Sequence, residues 1–234
     1  MTGYWVDIAA VGFFVIEWCV YAITLEHTAY ARDSLSARMH VYREIWVRNL
    51  LAREARMVDM QIMTSLQNGT AFFASTSLIA IGGALALLRA TSDALAVLGA
   101  LPINLSPSPA LWEVKCVGLI LIFIYTFFKF AWAYRLFNYA AILIGATPQP
   151  GADTDAAALD QARRAGAMQT VAARDFNRGL RAFFFALAFI GWLLSPIALI
   201  VSTTAVVIVL YRRQFGSAAV LALAARESSA AEEN

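Results

Sequence analysis

Six polar side chains fall where the chain otherwise looks ready for lipid: Glu17, Ser75, Thr76, Lys129, Arg135 and Asn138. A carboxylate and an ammonium held away from water can staple two helices, and they can also line a path for ions. A charge at the centre of a bilayer costs about 2.5–3.5 kcal/mol on insertion scales, so such residues are expected to be paired or functional. Glu17 is the thirteenth residue of an apolar run at 5–25, too deep for its short side chain to reach water. Lys129 lies in FFKFAWAYRLFNY, residues 127–139. With the third apolar core taken as 117–139, Lys129 is its thirteenth residue too. The matched depths predict a buried Glu17–Lys129 pair, either a bundle staple or part of a polar pathway. The competing reading of Lys129 is snorkelling, in which the stem stays in lipid and the ammonium reaches the headgroups. Trp132, Tyr134 and Tyr139 read as an inner aromatic belt and favour it. Arg135 and Asn138, three apart, share a helical face, and Asn138 suits a hydrogen bond between helices. In the second apolar run, Ser75, Thr76 and Ser77 are candidates for a pore lining. Ala71, Ser75, Gly82 and Ala86 give the same helix a small-residue packing face, which is the plainer reading.

No Walker A loop, GxSxG, HExxH or CxxC is present. No catalytic residue, cofactor-binding residue or metal ligand is therefore assigned, and no cofactor is expected. His40 and Glu44 form an i,i+4 pair that reads as a solvated face, and His27 is a lone histidine after the first run. Cys19 and Cys116 both sit in apolar segments and read as packed thiols, since a disulfide needs matched depth and close backbones.

These side chains need membrane helices to hold them. Of 234 residues, 60% are hydrophobic and 15% charged, against about 25% charged in an ordinary soluble domain. The net charge of +2 suggests no nucleic-acid partner. The expected class is an all-α, polytopic membrane bundle in a single domain over 1–215, followed by a polar tail at 216–234. Four runs reach the roughly 20 residues that cross a bilayer core: about 5–25, 71–88, 112–138 and 182–211. The first lacks the basic flank of a cleavable signal and reads as a retained span. Pro196 sits in the middle of the fourth, which either kinks there or re-enters as two half-helices. Two amphipathic connectors, at about 31–66 and 153–178, join the spans. In the first, Leu35, Met39, Tyr42, Trp46 and Leu50 recur at helical spacing.

Arginine sets the expected orientation. The first connector carries six arginines, Arg32 to Arg56, and the second carries Arg163, Arg164, Arg174, Arg178 and Arg181. The segment TSDALAVLGALPINLSPSPA between the second and third spans has no basic residue. The positive-inside rule then places both connectors in the cytoplasm of a bacterial inner membrane. With four spans, Arg212 and Arg213 would lie on the outer side, a discomfort that a re-entrant fourth segment removes.

The strings WVRNLLAREARMVDMQIMTSLQNGTAFFASTSLIAIGGALALL, FFKFAWAYRLFNYAAILIGA and DFNRGLRAFFFALAFIGWLLSPIALIVSTTAVVIVLYRRQF occur together. Through them the chain resembles the bacterial and plant membrane-protein family called domain of unknown function five-nine-nine, over roughly residues 4–213. The resemblance implies about four spans and no established activity. It also marks Asn49, Arg56, Asp59, Asn68, Asn177, Arg178 and Arg181, besides Ser75, Thr76, Lys129, Arg135 and Asn138, as fitting the family pattern. The first seven make sense as a polar layer near the cytoplasmic helix ends, and Arg178 and Arg181 would suit anionic lipid headgroups. Two functional readings follow, both homo-oligomeric because four spans make a thin bundle. One is an ion or small-solute pathway built around Glu17 and Lys129. The other is a non-conducting scaffold or accessory subunit, with an anionic-lipid-binding role between them.

Overall fold

The computed structural model describes residues 3–100, 108–148 and 155–223. The described residues hold seven α-helices and no strand. They are α1 (Gly3–His27), α2 (Leu35–Leu51), α3 (Met57–Arg89), α4 (Thr91–Gly99), α5 (Pro109–Gly145), α6 (Asp155–Leu194) and α7 (Pro196–Phe215). Five of them, α1, α3, α5, α6 and α7, are long and apolar enough to cross a membrane. The all-α membrane bundle is as expected, but with one span more than four. The extra span comes from residues 182–211, which are not one helix.

Local chemistry explains that break. Pro196 has no amide to donate, and it occupies the first position of α7, where none is needed. Ser195 caps the new helix, accepting from the Ala198 amide at 3.0 Å. The chain then turns back: Ser202 Oγ donates to the carbonyl of Ala188 at 2.6 Å. A Cβ at Gly191 would stand 2.6 Å from Ser202 Oγ and 2.8 Å from the Ala198 carbonyl, so only glycine fits this antiparallel crossing. Because Ala188 and Ser202 are each seven residues from Ser195, α6 and α7 form a hairpin of adjacent helices.

The expected connectors are shorter than the reading of the sequence had them. Ser34 caps α2, accepting from the Ala37 amide at 3.2 Å. The break at 52–56 ends α2, and residues 57–66 are already the first turns of α3. Likewise α6 runs unbroken from Asp155 through 178 into its apolar end. No proline interrupts either junction, so hydrogen bonding continues where amphipathic sequence turns apolar. At 33, 37 and 40 residues, α3, α5 and α6 are about 50, 56 and 60 Å long. A bilayer core is about 30 Å. Residues 149–154 and, of the expected tail at 216–234, residues 224–234 lie outside the described residues.

The chain clusters into two compact units. The first comprises residues 1–39, 83–121 and 184–234. Its centre is aromatic: Phe14 meets Phe185 and Phe189 edge-on at 5.7 and 5.2 Å, and Trp18 stacks on Phe185 at 5.1 Å. Gly118 admits the Phe189 ring, whose Cζ would be 2.7 Å from a Cβ there. Helix α7 packs on α1, and Gln214 Nε2 donates to Ser36 Oγ at 2.9 Å.

The second unit comprises residues 40–82 and 122–183. Along α6, positions 162, 165, 169, 172, 176, 179 and 183 follow a three–four spacing, the period of a knobs-into-holes seam. Ala162, Ala165, Gln169 and Ala172 on it are buried, against a core that includes Leu50, Met63, Leu136, Phe137 and Ile144. Small side chains there let neighbouring backbones come close. At Gly179 a Cβ would lie 2.9 Å from Phe130 Cε1 and 3.2 Å from Lys129 Cβ, so α5 and α6 touch at that level. Phe73 stacks on Phe130 at 5.3 Å and meets Phe176 and Phe183 edge-on.

Candidate functional site: buried lysine–aspartate pairs

Lys115 and Lys129 are the chain's only lysines. Each ends on an aspartate inside its own unit, and charged pairs of this kind are costly to bury.

In the second unit, Lys129 Nζ lies 2.9 Å from Asp175 Oδ1. Asp175 is 9% exposed and Lys129 25%. Arg178, one turn along α6, brings its Nη1 to 3.9 Å from the same oxygen. Tyr125 puts its ring 5.8 Å from the ammonium. The close α5–α6 contact at Gly179 brings the pair within reach. This corrects the expected Glu17–Lys129 pair. Lys129 is committed to α6, while Glu17 is half-buried on α1 and forms no ion pair among the described residues. Matched depth along two helices says nothing about which neighbours face each other sideways.

The other expected polar residues of this unit are largely internal fastenings. Arg56 reaches the end of α5 and donates to the carbonyls of Ile144 at 3.0 Å, Pro148 at 2.6 Å, and Thr147. A cation on the last free carbonyls of a helix satisfies them and complements its dipole. Asp59 is fully buried, and its Oδ1 accepts from Trp46 Nε1 at 2.6 Å and Arg53 Nη1 at 2.5 Å. Gln67 Nε2 donates to Asn138 Oδ1 at 2.8 Å, the interhelical bond that Asn138 suggested. Arg135 does not join it. It is exposed, donates to Tyr139 Oη at 2.6 Å, and lies 5.8 and 5.4 Å from the rings of Trp132 and Tyr139. Asn177, Arg178 and Arg181 are all engaged, whereas Asn49 and Asn68 are exposed.

The α3 hydroxyls are not gathered on a common inward surface. Ser75 is exposed, and Thr76 and buried Ser77 donate to their own helix, to the Phe72 and Phe73 carbonyls, both at 2.8 Å. Gly82 and Ala86 of the small-residue face are exposed as well.

In the first unit, Asp7, Lys115 and Trp192 meet from α1, α5 and α6. Trp192 Nε1 donates to Asp7 Oδ1 at 2.7 Å, and Lys115 Nζ is 3.9 Å from the same oxygen and 5.4 Å from the indole centre. Lys115 is 3% exposed and Asp7 12% at the side chain. Sequence reasoning did not single out Lys115 and missed Asp7, Trp192 and Asp175. Asp7 sits near the chain's start, and Asp175 sits beside Arg174 and Arg178 in an alanine-rich stretch that looked solvated. The one available signal was scarcity: two lysines inside apolar helices each need a counter-charge.

Both cysteines are free thiols, Cys19 exposed and Cys116 buried. Among the described residues no cluster of three histidine, cysteine or acidic side chains is placed to hold a metal. The family model described as "Protein of unknown function, DUF599" matches residues 9–219. No curated protein and no solved structure matches the chain.

Proposed function

The chain belongs to the DUF599 family of proteins of unknown function, and from that premise we propose that it is a non-conducting membrane scaffold rather than a solute pathway. The observation that carries this reading is that Lys115 and Lys129 are each tied to an aspartate within a packed unit. A pathway residue must exchange partners with its cargo. These ammoniums are instead held as staples between helices, and the Thr76 and Ser77 hydroxyls bond their own backbone. Fixed buried polar contacts give a bundle one register, the use for which they are best attested. Exposed small residues on α3 and exposed apolar side chains such as Phe72 and Ile79 suit a second copy or another membrane helix.

Liposome flux decides between the readings. The scaffold predicts no selective ion flux from a well-folded sample, and none gained or lost in Glu17→Gln. Selective flux that Glu17→Gln alters would restore the pathway.

An odd number of crossings sends the two ends to opposite faces. With the arginine-rich stretches in the cytoplasm of a bacterial inner membrane, the N-terminus is outside and the C-terminus inside. Arg212 and Arg213 then join the cytoplasmic side, which suits the positive-inside rule. The Gln214–Ser36 hydrogen bond supports it, because it joins the end of α7 to the start of arginine-rich α2. A fluorescent reporter fused at the C-terminus should mature and glow. A dark, exported reporter would reverse this orientation.

A further inference from the structure

The lysine pairs are closed, but one charged cavity is not. It lies between α2 and the first half of α6, wholly within the second unit, with a volume of about 540 Å³. Small-molecule sites span about 300–1,000 Å³. Its floor is apolar and tight. Val47 is buried, and its Cγ2 would be 2.9 Å from a Cβ at Gly166, so the two helices close beneath the cavity. Leu159 and Val171 continue the apolar lining.

Its rim is cationic. Arg43 and Arg48 enter from α2 and Arg163 from α6. Among the described residues none of these three guanidiniums has a hydrogen-bond or ion-pair partner. Three other arginines of this unit have partners: Arg164 in Asp160 at 2.7 Å, Arg53 in Asp59, and Arg56 in the α5 carbonyls. The cavity's one carboxylate, Glu44, lies 3.8 Å from His40 Nε2, and His40 Nδ1 is 3.2 Å from Thr170 Oγ1. Arg43 is half-buried, and burial pushes its guanidinium below the usual arginine range. Holding it there without a carboxylate is costly unless an anion arrives. Guanidinium forks match phosphate oxygens in geometry and charge.

We propose that this α2–α6 cavity binds a phosphate-bearing anion, with Arg43, Arg48 and Arg163 contacting the phosphate and the Val47–Leu159–Val171 floor taking its apolar part. Ordinary positive-inside anchoring needs only charge on a surface. It does not need three unpaired guanidiniums converging from two helices on one hollow. The phosphate could belong to a lipid headgroup or to a soluble organic phosphate, and both present the same anionic phosphate oxygens.

The full chain in phosphatidylcholine nanodiscs tests this in two arms, separate titrations, one with inorganic pyrophosphate and one with added phosphatidic acid. One saturable site is expected in at least one arm. Arg43→Gln or Arg163→Gln should weaken it about tenfold or more, the loss of one charge-assisted contact. Arg164→Gln removes the same charge from the same helix outside the cavity and should leave affinity within about twofold. Because Arg163 is exposed, its variant tests the site even if Arg43→Gln misfolds. Saturation by pyrophosphate identifies a soluble source, and saturation by phosphatidic acid alone identifies a lipid. No saturable binding in either arm overturns the proposal, as does an equal loss in Arg164→Gln.

Discussion

The two lysine–aspartate pairs solve one problem in different ways. In the second unit Lys129 and Asp175 touch directly at 2.9 Å, and Arg178 stands by as a second cation on the same oxygen. In the first unit Lys115 stays 3.9 Å from Asp7, and an indole N–H from Trp192 takes the short bond to the carboxylate. Lys129 retains a quarter of its side-chain surface, whereas Lys115 is almost wholly enclosed. The difference teaches that a buried carboxylate needs donors more than it needs one particular charge. Where a second cation is at hand the pair is redundant, and where a tryptophan fills that place it is not.

Asp175→Leu should give the largest effect, because it removes the carboxylate on which Lys129 and Arg178 both lie. About 3–5 kcal/mol of stability is expected to go, read by thermal or denaturant unfolding in detergent. The double change Lys129→Met with Asp175→Leu should be clearly more stable than Asp175→Leu alone, since a buried pair replaced by apolar groups is often neutral. A double variant no better than the single would mean that the two residues are not coupled.

Between the two lysines, Lys115→Met should cost more than Lys129→Met. Losing Lys115 leaves Asp7 with a neutral donor only, while Asp175 keeps Arg178. Equal losses in the same unfolding assay would erase the distinction drawn here. Next, Trp192→Phe should cost about 2 kcal/mol, the range for a hydrogen bond to a charged group. The double change with Lys115→Met should show coupling, since both act on one oxygen. Gly179→Ala pushes against Phe130 and the Lys129 stem and should cost about 1–3 kcal/mol by overpacking. It should also loosen the Lys129–Asp175 bond, visible as a smaller penalty for Asp175→Leu in its background. The smallest effect is Ser195→Ala, about 1 kcal/mol for a lost helix cap. It tests the α6–α7 hairpin rather than either pair.

Much of the architecture was legible in the residues. Apolar runs, arginine-rich stretches and Pro196 marked the helices and their break, though the break was read as a kink or a re-entrant pair of half-helices rather than the start of a fifth span. Asn138 as interhelical glue and Arg135 beside an aromatic belt were readable from type and position alone. The partner of Lys129 was not. Its aspartate is 46 residues away, in a stretch whose composition resembled a solvated face. Counting residues for depth favoured Glu17, but depth is one coordinate of three. Asp7 and Trp192, 185 residues apart, carried no local sign of each other.

What the sequence by itself determined is whatever depends on neighbours along the chain: helix existence, apolar runs long enough to cross a membrane, and the match to the DUF599 family. These follow from hydropathy, backbone donors and turn chemistry, which act over a few residues. Tertiary structure alone decided which charges meet, which hydroxyls turn inward and which arginines are left unpaired. Those outcomes depend on how each helix is rotated about its axis, and that rotation is set by packing. Gly179 under Phe130, Gly166 under Val47 and the small-residue seam of α6 make the contacts, and the polar groups follow where those contacts carry them.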